Sequence, residues 1–66
     1  SDYLQLSSNS PMRAIELFDA AGRIVRHSAV NGQRFIQLDV QGSAPGAYLL
    51  RAWTDAGPVH RRWIKR

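Results

Sequence analysis

Apolar and polar residues alternate along most of this chain, and short clusters of Gly, Pro, Asn, Asp and Ser interrupt the alternation. Side chains that alternate with a period of two lie on opposite faces of a β-strand, whereas an amphipathic helix requires a period near 3.6. The alternation is clear in residues 3–6, 14–18 and 34–40, and no segment has helical periodicity. We therefore predict about six short strands at intervals of roughly 8–12 residues, which is typical of an all-β sandwich or barrel.

Two tight turns are predicted in the first half of the chain. Asp19 and Gly22 enclose a four-residue turn between two strands, because Gly22 accepts a positive φ without steric cost. Asn31 and Gly32 both tolerate the left-handed conformations of a type I′ turn. This pair therefore predicts a second hairpin, which would join the third predicted strand to the fourth.

Two further turns are predicted in the second half. Pro45 and Gly46 suit the central positions of a type II turn, because Pro sets a negative φ and Gly accepts a positive one. Residues 47–54 form the most apolar strand, which we expect to be central in its sheet. Residues 55–58 close the last hairpin, and residues 59–65 form the terminal strand.

The register of this last hairpin is left open by the sequence. If Thr54 pairs with Val59, then Arg51 lies opposite Arg62. Like charges directly opposite each other are unfavourable in an antiparallel pair. Either the register shifts by one residue, or that face is hydrated enough to tolerate the pair.

The size and charge of the chain limit both its core and its partners. With 66 residues, 44% of them apolar, the chain forms one domain at most and buries a thin core. It contains no cysteine, which excludes disulfides and thiolate metal sites. The formal net charge is +4, and four of the last six residues are basic, whereas no acidic residue follows Asp55. This terminal charge makes nucleic acid and anionic glycolipid candidate partners.

Catalysis and metal binding have little support in the sequence. His27 and His60 are too few for a metal site without cysteines or clustered carboxylates. The Ser, His and Asp residues are not accompanied by a nucleophile elbow or another activating arrangement. No run approaches the roughly 20 apolar residues that a membrane helix needs. We expect a protein without enzyme activity, metal, cofactor or transmembrane segment.

Four motifs follow one another along the chain. Residues 18–23 have the form aromatic-Asp-x-x-Gly-Arg, and residues 36–40 have the form apolar-x-apolar-Asp-apolar. Residues 45–50 contain a Gly-x-Tyr turn and strand, and residues 62–66 form a basic and apolar terminal strand. In this order the motifs cover nearly the whole chain, and they resemble the type A C-terminal sorting domain of type IX (Por) secretion cargo.

The resemblance implies an immunoglobulin-like antiparallel β-sandwich of about six to seven short strands, with residues 1–66 forming a single C-terminal sorting domain. The Pro-Asn-Pro box of the family is missing, so we expect the domain to lack its first strand. Such a domain follows an upstream cargo domain and is recognised by the type IX translocon and an outer-membrane shuttle protein. The cargo crosses the periplasm and outer membrane of a Gram-negative bacterium. A sortase-like peptidase then removes the domain as the cargo is secreted or anchored to the cell surface.

The resemblance and the turn chemistry together yield two sets of candidate residues. The residues expected to be recognised by the translocon or shuttle are Gly46, Tyr48, Arg62, Ile64, Lys65 and Arg66. The residues expected to serve turn geometry are Asp19, Gly22, Asn31, Gly32 and Pro45. Two structural interpretations stay open beside these roles. The basic terminal strand also fits an edge strand protected by cations against edge-to-edge pairing, and Tyr48 fits a core residue whose hydroxyl lies at the rim.

Two other functions stay open as well. A carbohydrate- or surface-binding β-sandwich could use Trp53 and Trp63 as a stacking platform. A small basic β-barrel could bind single-stranded nucleic acid, because Arg51 and Arg62 alternate with these aromatic residues. The concentration of charge at one end and the absence of a known aromatic-basic signature argue against nucleic acid.

Overall fold

Six β-strands and no helix make up residues 3–66, which are the residues that the computed structural model describes. In chain order the strands are β1 (Tyr3–Ser7), β2 (Met12–Phe18), β3 (Ile24–Ala29), β4 (Phe35–Asp39), β5 (Gly46–Thr54) and β6 (Gly57–Lys65). Ser1 and Asp2, which open the segment expected to follow the missing Pro-Asn-Pro box, lie outside the described residues. Among residues 3–66 there is consequently no helix that could cross a membrane.

The strands form two antiparallel sheets. The smaller sheet pairs β1 with β4, and the larger sheet has the order β3-β2-β5-β6. The prediction of an all-β sandwich is therefore confirmed. β5 lies between β2 and β6, which confirms that the most apolar strand is central, and the basic strand β6 lies at an edge.

The hydrophobic core lies between the facing sides of the two sheets. Its buried residues are Leu4, Leu6, Met12, Ile15, Leu17, Val40, Leu50 and Ala52. Five partly buried residues, Val30, Ile36, Leu38, Tyr48 and Trp63, pack against this cluster. In β1, β2 and β4 the residues that face the core are the apolar positions of the alternation, because a strand buried on one face is apolar at every second position.

The smaller sheet is too narrow to cover the larger one completely. The buried core residues come from β1, β2, β5 and Val40, which directly follows β4, whereas β3 and β6 contain no buried residue. Every residue of β3 is exposed, and its Ile24 and Val25 remain 50% and 44% accessible. β3 therefore lies outside the covered area, whereas β6 reaches the core through the partly buried Trp63.

The turn at Asp19 and Gly22 forms as expected. Gly22 has a φ of 85°, and its N–H donates to the carbonyl of Asp19 at 3.0 Å. The Asp19 carboxylate accepts from the N–H groups of Ala21 at 2.9 Å and Arg23 at 3.0 Å. These hydrogen bonds, that from Arg23 first, favour the ionised carboxylate and lower the pKa of Asp19.

The hairpin predicted at Asn31 and Gly32 is wrong. β3 pairs with β2 and β4 pairs with β1, so this segment carries the chain from one sheet to the other. Gly32 has a φ of 79°, but Asn31 does not have a positive φ, and a type I′ turn requires both. The N–H of Gly32 donates instead to the carbonyl of Met12 at 2.8 Å, and the N–H of Val30 donates to the carbonyl of Arg13 at 2.9 Å. The start of β2 thus supplies the partners that β4 was expected to supply.

The type II turn predicted at Pro45 and Gly46 is also wrong. Gly46 has a φ of 150°, far from the value near +80° that this turn requires, and it is already the first residue of β5. The tight turn in this connection lies earlier, where the N–H of Ser43 donates to the carbonyl of Val40 at 3.0 Å. The chain has therefore turned before it reaches Pro45, and Pro45 only leads it into β5.

The register of the β5–β6 hairpin differs by two residues from the pairing of Thr54 with Val59. Thr54 pairs with Gly57, so Arg51 lies opposite His60 and not opposite Arg62. A shift by two keeps every side chain on its original face, because the side-chain period of a strand is two. The hairpin thereby avoids the unfavourable pair of arginines and does not expose its apolar face.

On the outward face of the larger sheet, Glu16 connects β2 to β5. Its Oε1 accepts hydrogen bonds from the indole Nε1 of Trp53 and from Nε of Arg51, both at 2.8 Å. The Arg51 guanidinium also lies 4.8 Å from the ring centroid of Phe18 and 4.9 Å from that of Trp53. The hydrogen bond from Trp53, followed by that from Arg51, lowers the pKa of Glu16.

We predict that Gly32→Ala destabilises the fold. Its φ of 79° is unfavourable for any residue with a Cβ, and that Cβ would lie 3.2 Å from the Arg13 guanidinium. The expected loss in the free energy of unfolding is more than about 1 kcal/mol, measured by urea denaturation. Gly42→Ala is the control, because nothing lies within 4 Å of its added Cβ, and it should change stability by less than about 0.5 kcal/mol. Equal effects of the two changes would contradict the prediction.

We predict that Glu16 makes the fold sensitive to acid. Because its pKa is lower in the folded chain than its ordinary value of 4.5, its contribution is complete above that value and is lost as the pH falls through the folded pKa. The wild-type chain should therefore exceed Glu16→Gln in unfolding free energy near about pH 7 and lose this advantage near about pH 3. Urea denaturation at both pH values measures the difference, and a difference independent of pH would refute the prediction.

Candidate functional site

Two motifs that are distant in sequence meet at one end of the β5–β6 hairpin. Gly46 pairs with Lys65, and two positions further along Tyr48 pairs with Trp63. The first residues of β5 are therefore the direct neighbours of the last residues of β6. All the residues expected to be recognised lie on this segment or, like Arg66, next to it in the chain.

The outward face of this segment combines apolar and cationic side chains. Ala47 pairs with Ile64 and Leu49 pairs with Arg62, and these four residues line one shallow depression of about 480 Å³. Ile64 is 63% exposed, which is the largest exposure among the large apolar residues of the described chain. We call Ala47, Leu49, Arg62 and Ile64 the terminal patch. It offers apolar contact beside a guanidinium that can bind a carboxylate or phosphate in a bidentate manner.

The inward face of the same segment has a structural role. The rings of Tyr48 and Trp63 pack at a centroid distance of 5.0 Å, and both side chains lie against the core. The hydroxyl of Tyr48 donates to the backbone carbonyl of Ala44, four residues earlier in the chain. Tyr48 is thus a core residue with its hydroxyl at the rim, and this contact resembles the tyrosine corner of β-sandwiches.

Lys65 also points inward and binds the backbone of the β4–β5 connection. Its Nζ donates to the carbonyls of Val40 at 3.0 Å, Gln41 at 2.9 Å and Ser43 at 2.7 Å. We call Nζ and these three oxygens the Lys65 carbonyl site. The sequence analysis grouped Lys65 with Arg62 and Arg66 as a cation expected to be recognised by the translocon or shuttle, and it did not predict this internal contact. The one signal that could have distinguished it is that Lys65 is the only lysine among nine basic residues.

Most of the basic side chains without an ion pair lie on β6 or next to it, and Arg26 and Arg34 are the other two among residues 3–66. Arg13, Arg23 and Arg51 form ion pairs with Asp55, Asp19 and Glu16 respectively. Arg61, Arg62 and Arg66 are exposed, and none of them forms an ion pair with another residue in the range 3–66. The basic edge of the larger sheet is therefore the side of the molecule that attracts anionic groups.

The two tryptophans lie on opposite faces of the larger sheet. Trp63 packs inward with Tyr48, whereas Trp53 lies outward and binds Glu16. They cannot act together as one stacking platform. Arg51, the basic neighbour of Trp53, already pairs with Glu16 at 2.7 Å. Within residues 3–66 no group of three or more His, Asp or Glu residues lies close enough together to hold a metal ion.

A family model described as secretion system C-terminal sorting domain matches residues 1–66. No curated protein and no solved structure matches the chain. The match covers the whole chain, including the Gly-x-Tyr segment and the basic strand that pair in the structure. The chain belongs to the family of type IX secretion C-terminal sorting domains, whose role is that of a C-terminal sorting signal for a secreted or cell-surface cargo.

Proposed function

We propose that this domain directs a larger upstream cargo across the outer membrane by presenting the terminal patch and Arg66 to the type IX translocon or its outer-membrane shuttle protein. The observation that carries the proposal is the pairing of Ala47 with Ile64 and of Leu49 with Arg62. This pairing joins two family motifs in one exposed surface. Membership of the family supports the general role, and the patch supplies a location for recognition.

The chemistry of the patch indicates what a receptor would offer. Ile64 and Leu49 provide apolar contact, and Arg62 and Arg66 are exposed cations. A complementary receptor surface would place an apolar pocket beside carboxylates. Because β6 is an edge strand, its free side could also pair with a strand of the receptor. Backbone pairing would then supply affinity while the terminal patch supplies specificity.

The remaining steps follow the family role. The cargo would pass through the periplasm of a Gram-negative bacterium and cross its outer membrane. A sortase-like peptidase would cleave ahead of the domain, and the cargo would be released or joined to anionic lipopolysaccharide at the cell surface. The domain is the substrate in this step. Its contribution is recognition, and the attacking group belongs to the peptidase.

The proposed sorting role predicts export of a fused reporter. A periplasmic reporter with this chain at its C-terminus should appear outside type IX-competent cells. The double substitution of Arg62 and Arg66 by Gln should reduce export several-fold without lowering the thermal midpoint, because both side chains are exposed and form no ion pair within residues 3–66. The measurement is reporter activity in the medium and in the periplasm. A reporter retained in the periplasm in every case would defeat the sorting role.

Matched substitutions separate the terminal patch from general surface effects. Arg34→Gln removes an exposed cation immediately before β4, and Val25→Thr changes an exposed apolar residue on β3. Neither residue belongs to the terminal patch, so both variants should be exported normally, whereas Ile64→Thr should reduce export. If Arg34→Gln reduces export as much as the double substitution does, total charge matters and the patch does not.

The proposed cleavage predicts removal of the domain from the exported reporter. Mass spectrometry of the exported reporter should find it without these 66 residues, because the peptidase acts at the cell surface. The periplasmic fraction from cells that lack the peptidase should retain them. Exported reporter that still carries the intact domain would overturn the proposed cleavage and leave the export role standing.

A further inference from the structure

We propose that Lys65 is a positioning residue, which holds the end of β6 against the β4–β5 connection and is not itself contacted by the receptor. This inference rests on the proposed function, because it divides the residues of the basic strand into those that a receptor contacts and one that keeps them in place. The Lys65 carbonyl site carries the argument.

The hydrogen-bonding capacity of Lys65 is fully used within the domain. An ammonium group has three N–H donors and no acceptor. Three carbonyl oxygens lie between 2.7 and 3.0 Å from Nζ, so each donor has a partner. A receptor carboxylate could bind this group only after at least one of these hydrogen bonds had been broken. Arg62 and Arg66 have no such internal partner among residues 3–66 and are free to bind directly.

The site also accounts for the use of lysine at this position. The basic residues at the other eight positions are all arginine. A guanidinium is planar and directs its donors in a fixed fork, which suits a carboxylate, whereas an ammonium directs three donors from one point. Val40, Gln41 and Ser43 present their carbonyls around one point. Arginine at position 65 would keep the charge and lose this fit.

The position of the site gives it a mechanical role. β6 is an edge strand without a fully buried residue, and it reaches the core through the partly buried Trp63. Lys65 is its last residue, and the site links it to a connection that follows β4 of the other sheet. Loss of the site should free the end of β6, and with it Arg62 and Ile64 would leave their positions beside Leu49 and Ala47. The inference is that the signal is recognised as a folded surface and not as a linear tail.

The first test uses the fact that Lys65 is the only lysine. The isolated 66-residue chain is treated with an N-hydroxysuccinimide ester, native and in urea, with a reference peptide added to both samples. Mass spectrometry of the C-terminal peptide then reports acylation of Lys65 alone. We expect the native rate to be about tenfold lower after correction, equivalent to ~1.4 kcal/mol of protection. Equal corrected rates would show that the ammonium is free and would overturn the proposal.

The second test compares Lys65→Arg with Lys65→Met in the reporter fusion. A positioning role predicts that both variants lose export to the same extent, because neither satisfies three convergent carbonyls. Direct recognition of charge predicts that Lys65→Arg is exported normally, and this result would overturn the proposal.

Both isolated variants are also followed by amide hydrogen exchange. The Ser43 amide, which donates to the carbonyl of Val40, should exchange several-fold faster in each than in the wild type.

Cooling distinguishes a positioning role from a direct contact. If Lys65→Met loses export because the end of β6 is displaced, export should recover several-fold when cells are grown at a lower temperature that restores the docked strand. The double substitution of Arg62 and Arg66 by Gln should not recover. If the Ser43 amide of Lys65→Met is again protected from exchange at the lower temperature but export does not recover, the proposal is overturned. Because acylation is measured on the isolated chain, it tests the Lys65 carbonyl site independently of export. A wild-type reporter that stays in the periplasm would defeat the proposed function without affecting the acylation result.

Discussion

A two-stranded sheet covers only part of a four-stranded one in this molecule, and a long basic side chain from each edge strand of the larger sheet contacts the chain at or after the end of β4. The core is confined to the area beneath β2 and β5, and both flanking strands lack buried residues. On each flank, a long basic side chain of the edge strand donates hydrogen bonds to backbone carbonyls at the end of β4 or just after it. Arg26 of β3 donates to the carbonyl of Asp39, and Lys65 of β6 donates to the three carbonyls of the following connection. Long basic side chains can cover apolar surface with their stems while their charged ends remain hydrogen-bonded.

The two faces of the β5–β6 hairpin separate stability from recognition. The inward face contributes Tyr48, Leu50 and Trp63 to the core or its border. The outward face carries Arg62 and Ile64, which contribute little to packing because they are exposed. A strand alternates its side chains between faces, so residues adjacent in sequence can serve these two purposes independently. Substitutions of Arg62 and Ile64 can therefore alter binding while the fold persists.

Local patterns predicted the strands well, because the alternation of apolar and polar residues in a half-buried strand involves only residues that are close in sequence. Partner choice could not be predicted in the same way. Gly32 does have the positive φ that its turn chemistry indicated, yet its hydrogen bond goes to Met12, twenty positions earlier. The Lys65 carbonyl site was missed for a related reason, since its acceptors are backbone carbonyls, and these occur at every residue and have no sequence signature. The residues of the terminal patch lie close together only because of the observed register.

The strand connectivity has a consequence for the order in which the fold can form. β1 can pair only after β4 has been made, and β2 can pair on its second side only after β5 has been made. Each sheet therefore joins strands that are distant in the sequence. Contacts of this kind form slowly, because loop-closure entropy is lost before they stabilise anything. During synthesis only the β2–β3 hairpin and the β1–β4 pair can form before β5 is available. Completion of the last twenty or so residues is therefore the event that permits collapse of the whole domain.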